Sequence, residues 1–153
     1  MKAIVFLLLT GFTLLAGGCS RGELELADGS RASWSDWQGR WLLINYWAEW
    51  CAPCRQEIPE LNRLQAQRGA DTVQVLGVNF DGLSGEPLDR LITDLGIEFP
   101  VLLTDPRARW QQPLPSVLPS TLVINPEGEL VQVLVGPQNL ESLSRAIQAT
   151  SSL

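Results

Sequence analysis

Histidine is missing from this chain of 153 residues, and the gap removes whole classes of chemistry. The chain can build no His-based catalytic triad, no His-ligated metal site and none of the usual haem ligation. Lysine occurs once, as Lys2, so every other basic residue is Arg. Acidic residues number 17 against 11 basic ones, for a net charge of −6. A chain this acidic lacks the positive footprint of a nucleic-acid binder. Three Cys are too few for a disulfide scaffold or for a zinc site made of Cys alone. Apolar runs able to enter a bilayer are absent except for one near the start, which excludes a polytopic membrane protein. What remains is the composition of one globular domain, 45% hydrophobic and 18% charged, neither collagen-like nor disordered.

The one long apolar run belongs to an address segment. Residues 1–19 read MKAIVFLLLTGFTLLAGGC, with Lys2 as the positive start and Ala3 to Ala16 as the apolar core. That core is shorter than the roughly 20 residues of a spanning helix, as in a signal peptide. Ala16, Gly17 and Gly18 then lead into Cys19. Small residues just ahead of a Cys resemble the lipobox of bacterial lipoproteins, although that pattern prefers Leu where Ala16 stands. The resemblance implies a signal peptide at 1–18, lipidation of Cys19, a tether at 19–22 and a domain at 23–153. It also accounts for the odd cysteine. An ordinary secretory signal cut nearby and an uncut anchor are the competing readings. The expected location is the periplasm, on a membrane through the lipid. Ser20 rather than Asp after the Cys favours the outer membrane over the inner by the usual lipoprotein rule.

The rest of the chain alternates strand and helix signals. Glu23 to Leu26 alternates polar and apolar residues, Asp28-Gly29 signals a turn, and Arg31 to Ser33 returns as a hairpin partner. Trp41 to Trp47 (WLLINYW) and Val73 to Phe80 (VQVLGVNF) read as strands buried on both faces. Between them the pattern is helical from Cys54 to about Gln67, with Ile58, Leu61 and Leu64 on one stripe. Glu86-Pro87 opens a second helix that Gly96 closes. Phe99 to Thr104 holds a short strand, residues 111–119 form a proline-rich loop, and Pro126-Glu127-Gly128 joins two strands over 121–125 and 130–136. Leu140, Leu143, Ala146 and Ile147 mark a last amphipathic helix. The order predicts an α/β domain. Its first half should be parallel with right-handed crossovers, and helices should close both faces of a mixed central sheet.

One stretch carries chemistry. Trp47-Ala48-Glu49-Trp50-Cys51-Ala52-Pro53-Cys54 follows a buried strand and runs into a helix. Two Cys three apart at a helix start can close a small disulfide ring. The helix N-terminus offers free N–H groups and partial positive charge to the first sulfur. That favours the Cys51 thiolate, the form that attacks disulfides, while Cys54 is placed to resolve the mixed disulfide. A zinc site would need two more ligands that this chain lacks. A static disulfide would close too short a loop to stabilise much, and the position at the strand-to-helix junction is expected to be exposed.

This stretch, with Pro59 after it, resembles the active site of the thioredoxin superfamily. Leu118-Pro119-Ser120-Thr121 before a strand resembles that fold's cis-proline loop, with Ser120 a mild departure. The Asp-Gly turn, Asn45, the Asn125-Pro126-Glu127-Gly128 turn and the lipoprotein start resemble the TlpA/ResA-like membrane-anchored thiol–disulfide oxidoreductases. The resemblance implies a thioredoxin-like fold with an extra N-terminal β-hairpin and a catalytic centre of Cys51, Cys54 and a cis Pro119. Trp50, Ala52, Pro53 and the Leu118 backbone would contact substrate. No metal or organic cofactor is implied. Thioredoxin carries a buried Asp where this chain has Asn45, so the proton acceptor must lie elsewhere; Asp81 is the first candidate and Glu49 the second. The other Trp residues (Trp34, Trp37, Trp41, Trp47 and Trp110) read as core or shielding.

The implied activity is reduction of disulfides in exported proteins, with cytochrome c maturation one candidate setting. The protein would act as a monomer fed by a membrane electron donor. Oxidising members of the superfamily carry a His between their cysteines, and none is available here; Arg55 reads as solvated on the helix, so only the helix N-terminus and hydrogen bonds favour the thiolate. This places the potential at the reducing end, roughly −220 to −280 mV. Three readings compete. A peroxiredoxin-like peroxidase would need a Pro-x-x-x-Thr-x-x-Cys setting that is missing. A metal chaperone of the copper-assembly type would need a C-x-x-x-C pair and a His. A structural lipoprotein leaves the cysteine motif unexplained.

Overall fold

Seven strands and three α-helices follow one another over residues 23–148, the part of the chain that the computed structural model describes. The signal segment at 1–18, Cys19 and the tether at 19–22 lie outside the described residues. β1 (Glu23–Glu25) and β2 (Arg31–Ser33) form the expected hairpin. β3 (Trp41–Trp47) is the wholly buried run WLLINYW. α1 (Ala52–Arg68) carries the chain back to β4 (Val73–Asn79), and α2 (Glu86–Leu95) leads on to β5 (Val101–Leu102). β6 (Ser120–Ile124), β7 (Leu130–Val135) and α3 (Leu140–Gln148) complete the domain.

The five-stranded sheet has the order β5-β4-β3-β6-β7. β3 is parallel to β4, and β4 to β5, while β6 is antiparallel to both β3 and β7. This is the mixed sheet that the alternating first half and the Pro-Glu-Gly turn predict, with the N-terminal hairpin that the resemblance implies. The two-residue period of β3 divides its side chains between two cores. Trp41, Leu43 and Trp47 join the buried faces of the three α-helices. Leu42, Ile44 and Tyr46 join Leu24, Leu26 and Trp37 on the other side, under the hairpin. Helical segments thus stand on both faces, the α-helices on one and the 3-10 turns Trp34–Trp37 and Arg107–Trp110 on the other.

Most boundaries fall within one residue of the sequence reading; two differ by more. β5 keeps only two of the six residues expected at 99–104; Pro100 has no N–H for the ladder, and its carbonyl instead accepts from Gly77 N at 2.8 Å. α1 begins at Ala52, two residues early. β4, the strand that follows α1, needs close packing at Gly77. An added Cβ on Gly77 would stand 3.0 Å from Trp47 Nε1 and 3.1 Å from both Phe99 and Val101. This region lies at the carboxyl ends of β3 and β4, the end where open α/β sheets form their ligand crevices.

Candidate active site

α1 starts early because Cys51 is its N-cap. A helix leaves its first N–H groups without intrahelical partners, and here the Cys54 N–H points at Cys51 Sγ, 3.2 Å away. Sulfur takes the place that a Ser or Asp oxygen usually fills. Cys51 and Cys54 are joined as a disulfide, with Cα atoms 5.3 Å apart. The same N–H would stabilise a thiolate at Cys51 after reduction.

The pair is less open than the sequence suggests. Cys51 is 4% exposed and Cys54 1%. Both sit in the core cluster with Trp47, Ala48 and Ile58, and Phe80 and Leu118 pack against that cluster. The strand-to-helix junction stays accessible at its rim, where Trp50 is 64% exposed, Ala52 is exposed and Pro53 half-buried.

The Leu118–Pro119 peptide bond is cis. Pro119 is buried and Leu118 half-buried. The Pro119 carbonyl accepts from Gly136 N at 2.9 Å, and the Ser120 hydroxyl donates to the Val117 carbonyl at 2.8 Å. These bonds fix the loop between the end of β7 and the start of β6. Leu118 thereby reaches the cluster that holds both cysteines.

The two expected proton acceptors stand at the rim. Asp81 is exposed and accepts from the Trp50 indole N–H, at 3.1 and 3.2 Å to its two oxygens. Phe80 meets the same indole edge-to-face at 6.1 Å, so Trp50 is held although it is exposed. Glu49 is exposed, and its carbonyl accepts from Arg55 Nη2 at 2.9 Å. Arg55 is therefore pinned across the turn and not simply solvated on the helix.

The buried acid is Glu57, which the sequence reading missed. It is 1% exposed and lies three residues after Cys54 on the buried stripe of α1. Oε2 accepts from Asn45 Nδ2 at 2.7 Å, and Oε1 from the Gln138 N–H at 3.0 Å. Asn45 Nδ2 also donates to Thr121 Oγ1 at 2.9 Å. Loss of water around the carboxyl pushes the Glu57 pKa up to about 7, and the two donated bonds only partly oppose this. The signal was present in the sequence: Cys54, Glu57, Ile58 and Leu61 have the i, i+3, i+4, i+7 spacing of one helix face, and a charged residue on that face is an anomaly.

Comparison with known proteins agrees with this architecture. The profile of the AhpC/TSA family matches residues 20–133. The thiol-disulfide oxidoreductase ResA of Bacillus subtilis is 34% identical over 113 residues, which span 74% of this chain and 63% of that protein. The ResA of Geobacillus kaustophilus is 28% identical, over 97% of this chain and 88% of its own. Among solved structures, a DsbF homologue from Corynebacterium diphtheriae superposes with a TM-score of 0.70 at 26% identity, covering 83% of this chain and 82% of that one. The exposed lipoprotein thioredoxin of Streptococcus pneumoniae gives a TM-score of 0.66 at 25% identity, over 84% of this chain and 98% of its own.

Proposed function

The chain belongs to the AhpC/TSA family, and from that premise we propose that it is a thiol–disulfide oxidoreductase cycling Cys51 and Cys54 between dithiol and disulfide. The observation that carries this reading is the disulfide at the start of α1, with the Cys54 N–H donated to Cys51 Sγ. In the reduced protein the Cys51 thiolate attacks one sulfur of a substrate disulfide. A Cys51–substrate disulfide forms and the other substrate sulfur leaves as a thiolate. Cys54 then gives up its proton and attacks Cys51 Sγ. The second substrate thiol is released and the Cys51–Cys54 bond closes. Two electrons have passed to the substrate, and a separate donor returns them.

Glu57 is the group we assign to the Cys54 proton, since it is a buried carboxyl with a raised pKa one turn along the same stripe. Asp81, tied to the indole, would position Trp50 for substrate; with Glu49 it is the rival acceptor. Trp50, Ala52, Pro53 and Leu118 would meet the substrate beside cis Pro119.

The setting we propose is the envelope. Residues 1–18 would be the signal peptide, lipidated Cys19 and residues 20–22 the tether, and 23–153 the catalytic domain. The likeness to an exposed lipoprotein thioredoxin supports the anchor, and Ser20 favours the outer membrane. Substrates would be exported proteins with disulfides, cytochrome c precursors among the candidates, with electrons supplied through the membrane. Insulin reduction by dithiothreitol tests the activity: the protein should accelerate it, and Cys51→Ser should return it to background. Hydrogen peroxide consumption that survives Cys54→Ser, without insulin reduction, would favour a peroxidase.

A further inference from the structure

Six large apolar side chains are exposed among the described residues, and four of them line one groove. These are Leu114, Val117, Val133 and Val135, each between 41% and 59% exposed. The groove, of about 160 Å³, lies between the proline-rich loop at 112–117 and β7. Val133 pairs with Leu122, and Val135 with Ser120, so both valines continue the sheet face that carries Leu122. β7 is the outer strand of the sheet. Its sequence, LVQVLV, has no charge and no proline, the usual guards of an open edge. The register shift at Val123/Ile124 lies at its far end. The guarded end of the sheet is therefore not the end that carries the groove.

The groove also adjoins the redox site. Ser120 lines it and follows cis Pro119, whose carbonyl bonds Gly136 at the end of β7. We propose that this groove is a second recognition site, for an extended apolar segment of the same protein that carries the target disulfide. The segment adds to the free edge of β7, and its alternate side chains continue the row of Val133 and Val135 and meet Leu114 and Val117. An unguarded edge supplies main-chain hydrogen bonds to any strand, and the apolar row selects Val, Leu or Ile at every second position. The substrate class is thus a disulfide flanked by a β-prone apolar stretch, which a folding exported chain exposes and a compact folded protein does not. The inference rests on the proposed exchange activity.

The test uses three fluorescein-labelled synthetic peptides containing the same two-cysteine disulfide ring. One has a Thr-Val-Thr-Val-Thr extension before the ring, one has the same extension after it, and one has serines throughout. Binding to the oxidised protein is read by anisotropy, which needs no exchange. Turnover is read separately, with glutathione disulfide as a small substrate that carries no apolar strand. One of the valine peptides should bind and turn over about tenfold better than the serine peptide. Val133→Thr/Val135→Thr, which keeps β-branched residues in the strand, should abolish that preference and leave glutathione disulfide turnover unchanged. Equal behaviour of all three peptides overturns the proposal. So does a self-association of the protein that the double variant dissolves and the valine peptides do not compete with, since the groove then joins two copies. Failure with glutathione disulfide alone would count against the exchange activity, while peptide anisotropy would still report on the groove.

Discussion

Asn45 on β3 and Glu57 on α1 share a hydrogen bond of 2.7 Å inside the helix–sheet core, Nδ2 donating to Oε2. The strand residue cannot ionise, so the carboxyl of this pair comes from the helix. Glu57 is held also by the Gln138 N–H, which ties the start of α1 to the segment before α3. Asn45 Oδ1 has no hydrogen-bond partner among the described residues, so a turned amide could accept from a protonated Glu57.

That burial makes stability depend on pH. The Glu57 pKa is about 7 in the folded protein against 4.5 for an ordinary Glu, so the folded state holds this proton more tightly than the unfolded one. The contribution is complete below about pH 4.5 and is lost as pH rises through about 7. The loss is about 3 kcal/mol at 1.36 kcal/mol per pH unit. Denaturant titration of Glu57→Gln should show a flatter dependence between pH 4.5 and 7 than the wild type. Parallel curves would mean that Glu57 does not titrate in this window.

The same residue should govern the resolving step. Release of substrate from the Cys51 mixed disulfide should quicken as pH rises through about 7, where Glu57 becomes a base. In Glu57→Gln the rate should fall on the order of 100-fold or more and lose that inflection. Asp81→Asn should keep the inflection and alter Trp50 fluorescence. The reverse pattern in single-turnover kinetics would return the proton to Asp81.

Much of this site was legible in the sequence because it depends on local chemistry. WLLINYW reads as a doubly buried strand, which β3 is, and Cys51-Ala52-Pro53-Cys54 at the entry to a helix pointed to the cysteine pair from which the nucleophile is proposed. Leu118-Pro119 before a strand carries the cis bond by resemblance. What escaped depends on long-range contact. Glu57 is buried by Asn45, 12 residues away, and Gln138, 81 residues away. The early start of α1 follows from a sulfur cap, and caps are normally read from oxygen-bearing side chains. Phe80 and Leu118 pack against the cluster that holds Cys51, and the order of residues does not bring them together.

Gly77 should tolerate no side chain. A methyl there would press on Trp47, Phe99 and Val101 at 3.0–3.1 Å, all three buried. Gly77→Ala should cost about 1–3 kcal/mol through overpacking, read as a lower urea midpoint with an unchanged slope. A neutral result would mean that the indole of Trp47 can move.

The disulfide should be hard to reduce. Among the described residues the Cys54 N–H at the start of α1 is donated to Cys51 Sγ, the chain has no imidazole, and the Arg55 guanidinium is directed to the Glu49 carbonyl. Equilibration with glutathione should give a potential of roughly −220 to −280 mV. A value above about −160 mV would make the protein an oxidant.

The division of labour between the two cysteines can be read in one mass spectrum. Cys54→Ser, reduced and mixed with a disulfide peptide, should accumulate a single adduct on Cys51 that excess dithiothreitol removes. Cys51→Ser, treated identically, should accumulate almost none, because Cys54 is 1% exposed and the N–H at the start of the helix is donated to Cys51 Sγ. Equal adducts on the two variants, or an adduct on Cys54 alone, would contradict the account.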